Sequence, residues 1–350
     1  MKSLLTYIVL SLVMIVFSFS YYPKYKQGGG EATISWDVSG YYWYLPSLFI
    51  YKDLKQLSFS DSIRQKYACS PDNQQITFLP EGRKVLKYSS GMACQYLPFF
   101  AVAHMLAKPL GYEQDGFSTP YQLSVHLGAL CMLMIGLWFL RKILLRHFQD
   151  ATVAWTLFFL ILGTNYLNYA AIDVGMSHAW LFTWYCILIY CTDQFYQKPI
   201  YKWAILIGLI CGLMALTRPT ELLALIFPLG WGLTSIGWKP IKERFVFFIQ
   251  QWKLVAVAGM GMVLIGSIQL LYWKYATGSW LVYSYGGQEF SWKHPHFADY
   301  LFSFRCGWLI YTPLMLLPFL GIPILIKRNI QTVPILVFIL CYTWTVCAWD

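Results

Sequence analysis

Apolar stretches close to membrane-spanning length recur along this chain, and the segments joining them alternate between basic and nearly uncharged. A helix needs about 20 residues to cross the hydrocarbon of a bilayer, and it satisfies its own backbone polar groups while doing so. Lys2 followed by the apolar run Leu4–Phe19 opens the series. Further stretches lie near 121–140, 152–170, 176–195, 202–217, 220–237, 252–273, 307–326 and 332–349. Arg141, Lys142 and Arg146 share one connection, and Lys198 and Lys202 flank the next alternate one. Lys239, Lys242 and Arg244 come next, then Lys327 and Arg328. Alternation from a cytoplasmic N-terminus places all four groups in the cytoplasm, where basic residues accumulate. The other connections are short and poor in lysine, or hold isolated cations such as Arg218, Lys293 and Arg305.

The expectation is an all-α polytopic integral membrane protein, one transmembrane domain over residues 1–350 with about nine transmembrane helices. The charge alternation holds only if Gly91–Leu110 does not cross. Residues 22–118 therefore read as one long external loop, and 119–350 as the helix bundle. Within the loop, Tyr41–Tyr51 and Gly91–Leu110 read as interfacial or re-entrant helices, the second carrying Pro98, His104 and Lys108. Ser18-Phe19-Ser20 also resembles a small-residue cleavage site, so the first run has a signal-peptide reading. Under either reading, the segment beginning at residue 22 lies outside the cytoplasm.

Composition agrees with a bilayer environment. Hydrophobic residues make up 58% and charged residues 12%, against about a quarter charged in soluble domains. The 16 Trp and 26 Tyr suit many helix ends at headgroup level. The net charge of +10 accompanies no helix-turn-helix, zinc finger or basic-aromatic platform, so no nucleic-acid partner is expected. The nine cysteines show no CxxC and no zinc spacing. Cys69, Cys94 and Cys306 fall outside the spans, and a Cys69–Cys94 disulfide is one option on an oxidising face.

Ionisable groups at membrane depth are costly and so point to function. Asp37, Lys87, Asp173, His178, Arg218, Glu221, Arg305 and Asp350 all map to the outer side, whereas Asp150, Asp193 and Glu243 map beside the basic loops as ordinary loop charges. Each outer residue has a plain structural alternative. Asp37 suits a helix N-cap, Lys87 a snorkelling lysine, and Asp173 a cap for the following helix. Glu221 stands three residues from Arg218 and could pair with it, and Arg305 could hold a lipid headgroup. His178 falls about one turn into a span, where an unpaired polar group is expensive. Together these residues offer a carboxylate and several cations at one membrane level, a set suited to an anionic, lipid-anchored substrate. No P-loop, Rossmann fingerprint, HExxH or GxSxG is present.

Several short islands carry a resemblance. They are Trp36-Asp37, Lys87-Tyr88-Ser89-Ser90-Gly91 leading to Leu97-Pro98-Phe99-Phe100, Met176-Ser177-His178-Ala179, Leu216-Thr217-Arg218-Pro219-Thr220, and Arg305-Cys306-Gly307-Trp308 through Pro313. With a first span and a long external loop, they make the chain resemble the GT-C superfamily of polyprenyl-phosphate-sugar-dependent glycosyltransferases. Within it, the resemblance is to bacterial relatives of protein O-mannosyltransferases and the lipid A aminoarabinose transferase. It implies inverting sugar transfer at the outer, periplasmic face of a bacterial inner membrane. The donor would be a polyprenyl-phosphate-linked sugar, the acceptor a lipid, glycan or protein hydroxyl, with membrane lipids as surroundings. Asp37 would be the base, with His178 assisting. Lys87, Arg218 and Arg305 would bind the donor phosphate, and Asp173 and Glu221 are further candidates. Two features depart from the pattern. Asp37 is followed by Val38, so a paired acidic motif for a divalent metal is missing and no cofactor is expected. The chain also stops at Trp349-Asp350 as the last span emerges, as a short member or a fragment would.

Three other classes fit less of the pattern. A lipid-linked-saccharide flippase or other transporter would place polar groups near the midplane, often within inverted repeats. An O-antigen ligase or polymerase would carry its long loop late in the chain. A purely structural subunit leaves the outer charges without a purpose.

Overall fold

The computed structural model describes residues 1–305 and 307–349, with the Glu81 side chain aside. Cys306 and Asp350, both named in the sequence reading, lie outside the described residues. The first half of the chain contains α1 (Lys2–Val16), α2 (Trp36–Tyr42), α3 (Tyr44–Phe49) and α4 (Ser60–Tyr67). A two-stranded antiparallel ribbon of β1 (Ile76–Phe78) and β2 (Lys84–Leu86) comes next, then α5 (Gly91–Ala107), α6 (Thr119–Leu144) and α7 (Asp150–Leu162). The second half contains α8 (Ser177–Gln197), α9 (Tyr201–Thr217), α10 (Ile226–Gly230), α11 (Trp238–Gln250) and α12 (Trp252–Thr277). The chain finishes with α13 (Phe297–Phe302), α14 (Trp308–Tyr311), α15 (Leu317–Arg328) and α16 (Thr332–Cys347).

The protein is helical, as its apolar runs predict, with almost no strand. Among the described residues, three segments are long and apolar enough to cross a membrane: Lys2–Lys26, Thr119–Leu144 and Trp252–Thr277. The remaining apolar runs form shorter helices. Pro219 opens a 3₁₀ segment that leaves α10 only five residues long, Pro313 separates α14 from α15, and a π turn at Asn168–Ile172 comes after α7. Proline cannot donate the backbone hydrogen bond a continuous helix needs, so these runs break where proline falls.

Contacts fix the helix directions. Tyr7 meets Trp138 and Ser18 meets His126, so α1 runs antiparallel to α6. Gly136 abuts Thr183 and Phe139 meets Tyr190, so α6 and α8 are parallel. Gly208 abuts Ala258 and Gly212 abuts Met262, so α9 and α12 are parallel. These directions gather the basic clusters at one end. Arg141 reaches Ser3, Arg146 pairs with Asp193, and Arg244 lies 4.4 Å from the Tyr196 ring and donates to the Trp231 carbonyl. The turn after Lys327 and Arg328 joins the same end, where Gln331 accepts from the Gly232 N–H and Val333 donates to Leu233. Asp150 is more than a loop charge here, because its carboxylate accepts from the Lys2 N–H at 2.7 Å and from Ser3, holding the start of α1.

The segment 22–118 does not rest beside the bundle as a separate surface layer. Tyr41, Tyr42, Trp43, Tyr44 and Leu45 are buried in the largest core cluster with Tyr96, Phe100, Tyr121, Trp180 and Tyr272. The first part of the Tyr41–Tyr51 run read as an interfacial helix is thus enclosed by protein, while Leu48 and Phe49 are exposed. α5 packs back along the first half of α6 (Phe99 on Gly128, His104 2.6 Å from the Tyr121 hydroxyl) and does not extend to the basic end. Its outward face, with Leu97, Val102, Met105 and Leu106, is exposed. α11, read from sequence as a connection, is an amphipathic helix with Trp238, Ile241, Phe245 and Ile249 exposed along one stripe and Lys239 and Lys242 alongside.

Asp115 fastens the end of the external segment. It accepts from the Tyr67 hydroxyl, from Lys66 at 3.1 Å, and from the Phe117 and Ser118 N–H groups at 3.0 Å each. Burial by itself raises this carboxyl, but those donors together bring it below the ordinary aspartate value. Its stabilising effect is therefore present above the unfolded value near 3.8 and disappears as pH falls through the lower folded value. Asp115→Asn is expected to cost ~1–3 kcal/mol at neutral pH and to flatten the loss of stability below about pH 4, read as thermal unfolding against pH. An unchanged acid limb would show that Asp115 is not a fastening point.

Candidate active site

Away from the basic end, five chain segments bring ionisable and aromatic side chains together. Asp37 sits in the first turn of α2, with Ser35 rather than Asp37 at the N-cap position and no side-chain cap formed. Its carboxylate is free for other work and accepts from the Tyr88 hydroxyl at 2.7 Å. Trp36 just before it adopts φ +45°, a left-handed conformation rare for a bulky residue, and its N–H donates to the Cys69 carbonyl at 2.9 Å. Strain of this kind persists where the surroundings over-determine a position, and it concentrates at functional sites.

The ribbon and the start of α5 deliver Lys87 and Tyr88. Ser284 donates to the Lys87 carbonyl, and Thr77 donates to the Ser284 carbonyl, so the chain after α12 is sewn to the ribbon. That attachment brings in Tyr285. Its ring lies 5.9 Å from Tyr88, and the Lys87 ammonium stands 5.7 Å from both rings. Tyr41 completes the box, with its ring 4.7 Å from Tyr88. Burial and the adjacent Asp37 carboxylate hold the Tyr88 hydroxyl well above its usual range, so it remains a donor at neutral pH. Burial, with Tyr41 next, pushes Tyr285 up to about 12 against the opposing effect of Arg218.

Arg218 caps the C-terminal end of α9. Its guanidinium lies within electrostatic reach of Tyr41, Tyr342, Glu221 and Tyr285. The Gly91 backbone presses so closely on Thr217 that any β-carbon at 91 would overlap it, which sets α5 against this end of α9. His178, the second residue of α8, is exposed, has its ring 4.8 Å from the tilted Tyr169 ring and lies within reach of Arg218 and Asp173.

Asp37, Lys87, His178 and Arg218 therefore converge, with Tyr285 as the common neighbour of Asp37, Lys87 and Arg218. Asp173 and Glu221 lie at the margin, each engaged otherwise than sequence spacing suggests. Asp173 forms an ion pair with Lys24 at 2.7 Å and does not cap α8, whose N-cap is Met176. Glu221, 1% exposed, accepts from the Tyr185 and Tyr342 hydroxyls in place of pairing with Arg218. Arg305 is exposed, and among the described residues no contact joins its side chain to this group. Cys69 and Cys94 are free thiols. No group of three or more His, Cys, Asp or Glu side chains gathers among the described residues.

Sequence reasoning does not single out Tyr41, Tyr88 or Tyr285. Tyr88 is marked only by its place beside Lys87, while Tyr285 lies in a loop with no distinguishing pattern. Comparison with protein-family models, curated proteins and solved structures finds no match to this chain.

Proposed function

We propose that this chain is a membrane glycosyltransferase of the GT-C type, moving a sugar from a polyprenyl-phosphate donor to an acceptor hydroxyl with inversion. The reading takes the helices as about nine membrane crossings, the shorter ones completed by their 3₁₀ and π extensions. The basic end then faces the cytoplasm and the Asp37 group opens to the outer side of a bacterial inner membrane. The observation that carries the reading is the meeting of one carboxylate and two cations around Tyr285.

Asp37 takes the proton of the acceptor hydroxyl as its oxygen attacks the anomeric carbon. The bond from that carbon to the phosphate oxygen breaks, and its electron pair leaves with the polyprenyl phosphate. Attack from the face opposite the leaving group inverts the centre, as in the base half of an inverting glycosidase. Arg218 and Lys87 hold the charge that grows on the phosphate, Arg through a planar two-point contact and Lys as a point charge. His178, on the Arg218 side, assists the leaving group. Tyr88 orients the Asp37 carboxylate.

Donor binding tests the clamp. Arg218→Ala and Lys87→Ala are each expected to weaken binding of a polyprenyl-phosphate sugar by about tenfold or more, as loss of a charged hydrogen bond does. Arg305→Ala serves as the comparison. Wild-type affinity in both clamp variants would take the phosphate away from this group.

A further inference from the structure

A cavity of about 450 Å³ opens between the end of α7 and the chain around α14. Thr164 and Asn165 line one wall, and Tyr300, Trp308, Tyr311 and Thr312 the other. Its volume falls within the range of small-molecule pockets. Every described residue lining it is uncharged, which sets it apart from the Asp37 group.

Both walls lead to that group. Asn165 begins the turn whose Tyr169 ring meets His178 at a tilt, and the Tyr169 N–H donates to the Asn165 carbonyl at 3.3 Å. On the other wall, Tyr300 lies within electrostatic reach of Tyr342, which donates to Glu221 beside Arg218. The cavity is thus linked through Tyr169 to His178 on one wall and through Tyr342 to Glu221 on the other.

We infer that this cavity binds a neutral pyranose ring of the saccharide substrate. A pyranose presents C–H groups on its faces and hydroxyls around its rim. Aromatic rings offer an electron-rich face for the former, and here Tyr300 and Trp308 stand 6.0 Å apart. The amide of Asn165 and the hydroxyls of Thr164 and Thr312 can donate to and accept from the latter. A lining without cations does not suit phosphate, which leaves the phosphate to Arg218 and Lys87. Among the described residues the lining holds no carboxylate, which does not favour an amino sugar. The inference rests on the glycosyl-transfer reading of the Asp37 group.

Saturation-transfer NMR on the full chain in micelles, with neutral methyl pyranosides as probes, tests it. Transfer to the pyranoside protons is expected for the wild-type protein. It should fall at least fivefold in Trp308→Ala and in Asn165→Ala, which act from opposite walls, and partly return in Trp308→Phe. Displacement of the signal by a polyprenyl-phosphate sugar would assign the cavity to the transferred sugar, and persistence would assign it to the acceptor glycan. Absence of transfer for every neutral pyranoside, equal transfer in both alanine variants and the wild type, or stronger transfer to methyl glucosaminide or methyl phosphate would overturn the inference. Donor turnover measured in parallel separates the two failures. Turnover without pyranoside binding sinks the cavity alone, and pyranoside binding without turnover sinks the transferase reading.

Discussion

Asp37→Asn is expected to reduce sugar transfer by about 10²–10⁴-fold in kcat while leaving donor KM near its wild-type value. The substitution keeps the shape of the side chain. Its amide oxygen can still accept from the Tyr88 hydroxyl that now bonds the carboxylate at 2.7 Å, so the local geometry is retained. What disappears is the capacity to take a proton. A base acts in the transition state, so its loss should appear in kcat rather than in ground-state binding. The split separates this role from that of Arg218, whose removal should weaken donor binding. Transfer by the asparagine variant at the wild-type rate would exclude Asp37 as base.

The largest structural effect is expected at Gly208. A β-carbon there would overlap the Ala258 carbonyl oxygen, a backbone atom of α12 that cannot rotate away. Small residues let membrane helices approach closely, and Gly212 and Gly261 continue the same seam between α9 and α12. Gly208→Leu must therefore push the two helices apart, at a cost of ~1–3 kcal/mol or more by overpacking. α9 carries Arg218 at its end, and α12 leads into Tyr285. The variant should lower the thermal midpoint in detergent and weaken donor binding as well. Gly259→Leu, where a β-carbon meets nothing within 4 Å, is the control and should leave both unchanged. Equal effects from the two substitutions would mean that the seam does not set the helix spacing.

Much of the helical architecture is legible in the sequence. Long apolar runs have to be helices, and the basic clusters that alternate along the chain do collect at one end of the bundle. Element lengths are less legible. Pro219 announces a break, whereas the stretch read as continuous near 307–326 is interrupted at Pro313, and whether a broken run continues as 3₁₀ turns depends on its neighbours. The buried packing of Tyr41–Leu45 is also hidden, since a cluster of aromatics reads equally well as headgroup-level residues or as core. At the site, rare charges in apolar surroundings mark Asp37, Lys87, His178 and Arg218. Tyr285 gives no such signal because its place depends on a long-range attachment between Ser284 and the ribbon. Asp173 illustrates the limit of local spacing: its partner is Lys24, far back in the sequence.

Incubation of the purified chain with a panel of polyprenyl-phosphate sugars, reading the release of polyprenyl phosphate, addresses the central claim most directly. Release from at least one donor, dependent on Asp37 and carrying inverted anomeric configuration into the product, is the predicted result. No release from any donor, together with movement of intact lipid-linked saccharide across vesicles, would contradict it and make the molecule a transporter.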